Sequence, residues 1–324
     1  MRIIILSTKH NPLTFPIFLE FVELRTKVAS VFPMLIGFLW AFYHYNAFNT
    51  LNTVLFILSV ISFDMCTTAI NNTMDYKKAL DTDYKERDNV IGANKLNFQQ
   101  MVQIILGLLS FSILLSLILV WRTDIILLPI GILCFLIGIF YTFGPIPLSR
   151  LPLGELFSGV TMGFGIFFLA IFIQKPNLLV ASHLSENFYQ INIAWFELIK
   201  TVFLSLPFIC LIANIMLANN LCDYEQDVKN GRFTLVHYIG KTRGITLYSI
   251  LNLTPWILWS IYPLAGLLPK WVWTGLLLIK LNLTFLKEFR QKQVKRLTFT
   301  CAIKSFVLFS ALYLLTLVLA TVTG

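Results

Sequence analysis

Long apolar stretches separated by short polar breaks run through the whole chain, over about residues 28–45, 51–71, 101–121, 125–142, 154–173, 199–219, 245–263, 269–286 and 303–322. Each is close to the ~20 residues that a helix needs to cross a bilayer. Lipid offers no partners for backbone N–H and C=O groups, so a single segment that spans it must be helical. The pattern therefore predicts an all-α membrane protein, with nine transmembrane helices in a single bundle. One domain accounts for residues 1–324, including a short N-terminal segment 1–24. The longest polar stretches lie at about 72–100, 174–198 and 220–244.

Charge gives the bundle a direction. With the N-terminus on one side, that side receives Arg2, Lys9, Arg25 and Lys27, then Lys77, Lys78, Lys85, Arg87, Lys95 and Arg150. It also receives Lys229, Arg232, Lys241 and Arg243 and the basic run from Lys287 to Lys304. The other side receives Arg122, Lys175, Lys200 and Lys270, while Lys280 falls inside the eighth stretch. Lys and Arg collect on the cytoplasmic side of membrane proteins. The expectation is thus a multi-pass protein of the cell membrane, N-terminus cytoplasmic and C-terminus outside, as an odd number of spans requires.

Composition agrees. The chain is 57% hydrophobic and 13% charged, with mean hydropathy +0.77, whereas soluble domains carry about 25% charged residues. The net charge of +9 lies in short loops beside the bilayer, so it points to anionic lipid and not to nucleic acid. Cys66, Cys134, Cys210, Cys222 and Cys301 are scattered without metal-ligand spacing, and the four histidines form no ligand pattern either. The start, Met1 to Leu6, is apolar but short, and it is not read as a signal peptide.

Candidate chemistry sits where two apolar stretches end. The sixth runs into Asn219-Asn220-Leu221-Cys222-Asp223-Tyr224-Glu225-Gln226-Asp227. A helix continued through it would carry Asn220, Asp223 and Asp227 on one face. The second ends in an echo, Asn71 and Asp75. Magnesium takes one or two carboxylates and shares its remaining positions with water and substrate phosphates. Two such ends on the cytoplasmic face predict a central cavity there, with a diphosphate held between them. The spacing of the two ends, four spans apart, also suggests a parallel internal repeat.

Basic and aromatic residues on the same face are candidate substrate contacts: Arg25, Lys27, Lys78, Arg150 and Arg232, with Tyr141 beside the helix-breaking Pro145 and Pro147. Each also has a plainer reading, as a membrane anchor or an interfacial aromatic. Asp64, inside the second stretch, is either a functional group or a carboxylate paired with a neighbouring helix.

At these residues the chain resembles the UbiA superfamily of intramembrane aromatic prenyltransferases. Asn71-Asn72-Thr73-Met74-Asp75 and Asp223-Tyr224-Glu225-Gln226-Asp227 match its two motifs. Similarity to the branch that acts on 1,4-dihydroxy-2-naphthoate rests on Asn219 to Asp227 running into Asn230-Gly231-Arg232-Phe233-Thr234. It rests also on Glu23-Leu24-Arg25-Thr26-Lys27 and on Tyr141-Thr142 with Gly154-Glu155. The resemblance implies a bundle of nine transmembrane helices around a pocket open to lipid, and Mg2+-dependent transfer of a polyprenyl group from polyprenyl diphosphate to the aromatic acceptor. In the naphthoate branch the ring loses its carboxylate, giving demethylmenaquinone for menaquinone synthesis. The implied catalytic residues are Asn71, Asp75, Asp223 and Asp227. Asp81, or alternatively Asp83, completes the implied metal set, because Lys78 and Ala79 stand near where the family carries further aspartates. Asn220 joins the substrate contacts. Another acceptor, 4-hydroxybenzoate or haem, is the alternative within the family, and a multi-pass transporter the alternative outside it.

Overall fold

The computed structural model describes residues 11–79, 84–144, 147–184, 188–229 and 231–323. Asp81, Asp83, Pro145 and Asn230 lie outside the described residues, as does the side chain of Arg25. The chain is mostly helical. A short α1 (Phe15–Phe21) leads through a 3-10 turn, Leu24–Lys27, into α2 (Val28–Tyr45), α3 (Thr50–Lys78) and α4 (Val90–Ala93). Then come α5 (Phe98–Arg122), α6 (Leu127–Thr142), α7 (Gly154–Ser158) and α8 (Ile166–Phe172). The second half contains α9 (Trp195–Cys222), α10 (Tyr224–Lys229), α11 (Leu235–Ile239), α12 (Lys241–Ile261), α13 (Ile279–Gln291) and α14 (Phe299–Thr323).

Among the described residues, seven helical segments are long and apolar enough to cross a membrane: α2, α3, α5, the α7–α8 segment, α9, α12 and α14. The fourth expected span is the shorter apolar helix α6. The eighth begins as a 3-10 stretch, Lys270–Leu278, and only then becomes α13. The fifth contains a π-helical stretch, Gly159–Gly165, between α7 and α8.

Local sequence explains the helix ends. Asn49 caps α3 by accepting from the N–H of Asn52, and Asn97 caps α5 by accepting from Gln99 and Gln100; a short polar side chain there satisfies donors that the helix leaves open. Asn46 ends α2 in the left-handed conformation, φ 47°, which Asn tolerates better than most residues. Small residues set the packing of the π stretch. A Cβ at Gly159 would lie 2.6 Å from the carbonyl oxygen of Ile209, and one at Gly163 would lie 2.5 Å from the Ile209 nitrogen. Glycine there lets the π stretch lie directly on α9, the close approach that small residues permit between membrane helices.

The main core joins α2, α8, α9, α12 and α14, with Trp40, Phe208, Trp259, Phe309 and Tyr313 buried in it. Trp259 meets Phe309 and Tyr313 edge to face, at 5.6 and 5.3 Å between ring centroids, the arrangement that ring quadrupoles favour. A smaller core, with Leu217, Leu221, Tyr248 and Phe289, fixes the end of α9 where the second acidic motif begins.

One addition to the helical expectation lies at the opposite end of the bundle. The polar stretch around 174–198 contains an antiparallel hairpin, β1 (Val180–Leu184) with β2 (Tyr189–Ile193). Tyr-Gln-Ile-Asn-Ile alternates with the period-two pattern of a strand.

Candidate active site

The end of α9 does not continue as one helix through the acidic motif. Asp223 is its C-cap, with φ −93° and ψ 5°, and α10 starts at the next residue. The neighbouring side chains take different partners. Asn220 is buried and donates from Nδ2 to Glu155 Oε1 of α7 at 2.8 Å. Asp223, with Asn219, instead receives the Lys295 ammonium, which lies 2.6 Å from Asp223 Oδ2. Asp227 is buried at 5% exposure, and Arg232 Nη1 stands 3.6 Å from its Oδ1.

Four buried polar atoms here have no hydrogen-bond partner: Asp227 Oδ2, Asn220 Oδ1, Glu155 Oε2 and Arg232 Nε. Such atoms are costly to bury unpaired. The Asp227 carboxyl is accordingly pushed up to about 6, chiefly by burial. Arg232 and Lys295 work against that shift, while the charges of Asp223 and Asp75 add to it.

The end of α3 approaches the same region. Thr67, Asn71 and Asp75 follow one another at four-residue steps on one helical stripe, about 6 Å apart along the axis. Asp75 lies in the electrostatic fields of Arg232, Arg150 and Lys78. It also contributes to the field at Asp227. Asp75, Asp227, Arg232 and Arg150 are therefore close enough to interact electrostatically, as the two motif ends were expected to be. Lys78 is exposed on the last turn of α3, while Asn71 is partly buried one turn before Asp75.

Below this polar region lies a cavity of about 410 Å³, bounded by α3, α5, α6 and the π stretch. Most of its wall is apolar, with Phe63, Val120, Leu127, Phe135 and Leu169 on it. Asp64, Thr67, Tyr141 and Ser158 form a polar part of the wall. Thr67 thus ties the cavity to the stripe that carries Asn71 and Asp75. Tyr141 donates to the Gly154 carbonyl at 3.3 Å and lies in the fields of Glu155 and Arg232. It is a cavity-wall residue joined to the acidic region, rather than solely an interfacial aromatic.

Lys27 is engaged elsewhere. Its ammonium donates to Asp64 Oδ1 at 2.8 Å, to the Asp64 carbonyl at 3.0 Å and to Thr68 Oγ1. Ser30 donates to Asp64 Oδ2 at 2.6 Å. The structure thus places Lys27 in a buried pair with Asp64, with all three ammonium hydrogens used, instead of turning it toward the acidic motifs. The reading of Asp64 as a carboxylate paired with a neighbouring helix describes this arrangement.

The donor set fits magnesium of the substrate-sharing kind. Among the described residues no group of three or more His, Cys, Asp or Glu is placed to hold a metal by itself. A buried carboxylate oxygen without a partner, with a second carboxylate in electrostatic contact, still needs positive charge. Magnesium that completes its shell with diphosphate oxygens and water would supply it.

Sequence reasoning passed over two residues of this region. Glu155 stands beside Gly154 in the sequence, but nothing local marks it as a partner of Asn220 across 65 positions. Lys295 stood among several basic residues of one loop, without a signal to single it out.

The comparisons agree with this architecture. The UbiA prenyltransferase family profile matches residues 30–302, and the chain belongs to that family. The 1,4-dihydroxy-2-naphthoate octaprenyltransferase of Bacillus subtilis is 27% identical over 83% of this chain and 81% of its own length. The UbiA prenyltransferase domain-containing protein 1 of Dictyostelium discoideum is 24% identical over 83% of this chain and 77% of its own. A UbiA homologue from Archaeoglobus fulgidus, solved with GPP and Mg2+, shares the fold with a TM-score of 0.66. It is 15% identical, over 95% of this chain and all of that one. The protein is a multi-pass membrane protein of the prenyl-transferring class.

Proposed function

We propose that the protein transfers a polyprenyl group from its diphosphate to 1,4-dihydroxy-2-naphthoate, with loss of the ring carboxylate, giving demethylmenaquinol, the reduced form of demethylmenaquinone. The observation that carries this reading is the join between an apolar cavity and a charged region. An apolar cavity fit for an isoprenoid chain meets, along one stripe of α3, a region of buried carboxylates and arginines fit for a metal-bound diphosphate. The naphthoate acceptor is favoured by the similarity to the Bacillus subtilis enzyme.

In this mechanism Asp75 and Asp227, with Asn71 and Asp223, are the groups that would hold magnesium. When bound, magnesium supplies positive charge that offsets the charge gathering on the departing diphosphate. Arg232, Arg150 and Lys78 bring further positive charge to the same oxygens, worth most where water is excluded. The allylic C–O bond breaks toward the diphosphate, the electron-rich ring attacks the allylic cation, and the ring carboxylate leaves as carbon dioxide. The apolar wall keeps water away from the cation, which water would otherwise capture. Nine spans, an N-terminus in the cytoplasm, a C-terminus outside and a reaction chamber near the cytoplasmic face complete the reading, on the sidedness of Lys and Arg.

The test is product analysis. Protein in nanodiscs with 1,4-dihydroxy-2-naphthoate, a polyprenyl diphosphate and magnesium should yield a prenylated naphthoquinol lacking the carboxylate, identified by mass spectrometry. Prenylation of 4-hydroxybenzoate in preference, under the same conditions, would move the protein to another branch of the family.

A further inference from the structure

The β1–β2 hairpin lies at the end of the bundle opposite Asp75 and Asp223, and the proposed chemistry has no use for it. Strand alternation divides its side chains. The pairing places Val180 opposite Ile193 and Ser182 opposite Ile191, so these four share one face with Tyr189. Ala181, His183, Gln190 and Asn192 occupy the other. One face is thus mostly apolar and the other mostly polar.

Every residue of β2 is exposed, including Tyr189 at 46% and Ile191 at 45%. An apolar strand face left uncovered in water would be an aggregation hazard. Its surroundings continue the same character. From Tyr189 to Phe196 the chain has no charged residue. Trp195 and Phe196, which open the membrane-crossing helix α9, are 61% and 87% exposed, and Trp121 at the end of α5 is 86% exposed. Tryptophan and tyrosine at the ends of membrane helices mark the level of the lipid headgroups.

The hairpin is also fixed in place. Asp124, between α5 and α6, accepts from the backbone N–H and the hydroxyl of Ser182, the former at 2.9 Å. The Ala194 N–H closes the base on the Leu179 carbonyl at 2.9 Å. A two-stranded hairpin pairs only about half of its backbone groups; the hydrated headgroup layer supplies partners for the outward half, which the hydrocarbon core would not.

We propose that this hairpin is an interfacial anchor: Tyr189, Ile191 and Ile193 sit in the headgroup layer of the leaflet opposite the acidic motifs, and Gln190 and Asn192 face water. Protein covers the β1 half of the apolar face, with Val180 in the core and Ser182 on Asp124; the occupant of the exposed β2 half is lipid, because that strand runs directly into the exposed aromatic start of the membrane-crossing helix α9.

The test uses the full chain with its native cysteines replaced, reconstituted in phosphatidylcholine–phosphatidylglycerol vesicles and carrying a single nitroxide at position 191 or 192. Both positions are exposed, so the labels leave the packing alone. Line broadening should show Ile191→Cys label accessible to oxygen and shielded from a water-soluble nickel chelate, with the order reversed at Asn192→Cys. Equal and high nickel access at both positions would overturn the proposal by placing the hairpin in water. Shielding from both agents would overturn it in favour of a second copy or another protein. A second measurement keeps the native cysteines: a benzophenone amino acid at position 191 should crosslink to lipid on illumination, and crosslinking between two chains instead would refute the lipid assignment.

Discussion

Helices α3 and α9 both end in Asn-Asn followed by aspartate, yet they handle buried charge differently. In α3 the deep carboxylate, Asp64, is fully satisfied by Lys27 and Ser30. In α9 and α10 the buried carboxylate, Asp227, is left with one oxygen unpaired and Arg232 at 3.6 Å. A satisfied pair gives rigidity; an unsatisfied one keeps the capacity to bind. Asp64 is built into the fold, whereas Asp227 keeps an oxygen unpaired, as the proposed magnesium site requires.

Neutralising each carboxylate's surroundings in turn separates the two roles. Asp227→Asn should lower transfer by about 10³-fold, since removing one preorganised electrostatic group typically costs 10²–10³ or more. Measured rates with saturating acceptor and varied magnesium would check it, and activity within a few-fold of the parent would make Asp227 a structural residue. Lys27→Met should act on stability first. Leaving Asp64 buried without its cation costs about 3–5 kcal/mol, read as a drop in thermal midpoint in detergent. Adding Asp64→Asn should recover most of that loss, and no such double-mutant rescue is expected at Asp227.

Smaller effects sharpen the picture. Lys295 is partly exposed where it pairs with Asp223, and exposed pairs contribute under about 1 kcal/mol. Lys295→Met should therefore change transfer by no more than about fivefold, mainly through the apparent affinity for the diphosphate. The smallest effect is in pH. Asp227 titrates near 6 in the fold and near 4 in an unfolded chain. Through that window the folded chain holds a proton that the unfolded chain releases, so this group's contribution to stability falls as pH rises. Without magnesium, the thermal midpoint difference between pH 4.5 and 7 should shift toward higher pH in Asp227→Asn, which lacks that slope.

Much of the architecture was legible in the pattern of apolar runs. The expected stretch 28–45 coincides with α2, and 154–173 with the α7–α8 segment, because lipid leaves a long apolar run no alternative to a helix. The stretch 269–286 was legible as apolar but not as a 3-10 turn giving way to α13, a choice made by packing near Trp259, whose Nε1 donates to the Val272 carbonyl. The motif at 219–227 was visible as chemistry, but the break at Asp223 was not. Asp223, Glu225, Gln226 and Asp227, interrupted only by Tyr224, carry no periodic signal to mark where a helix stops.

By itself the sequence determined the class of solvent, the place of the apolar runs, the gathering of charge into the polar breaks and the two acidic ends, since each depends on local composition and spacing. Tertiary structure alone decided that Lys27 answers Asp64, that Asn220 answers Glu155 and that Asp75 lies within the field acting on Asp227. Those pairings join positions far apart in the chain, where only the packing of helices can say which side chains meet.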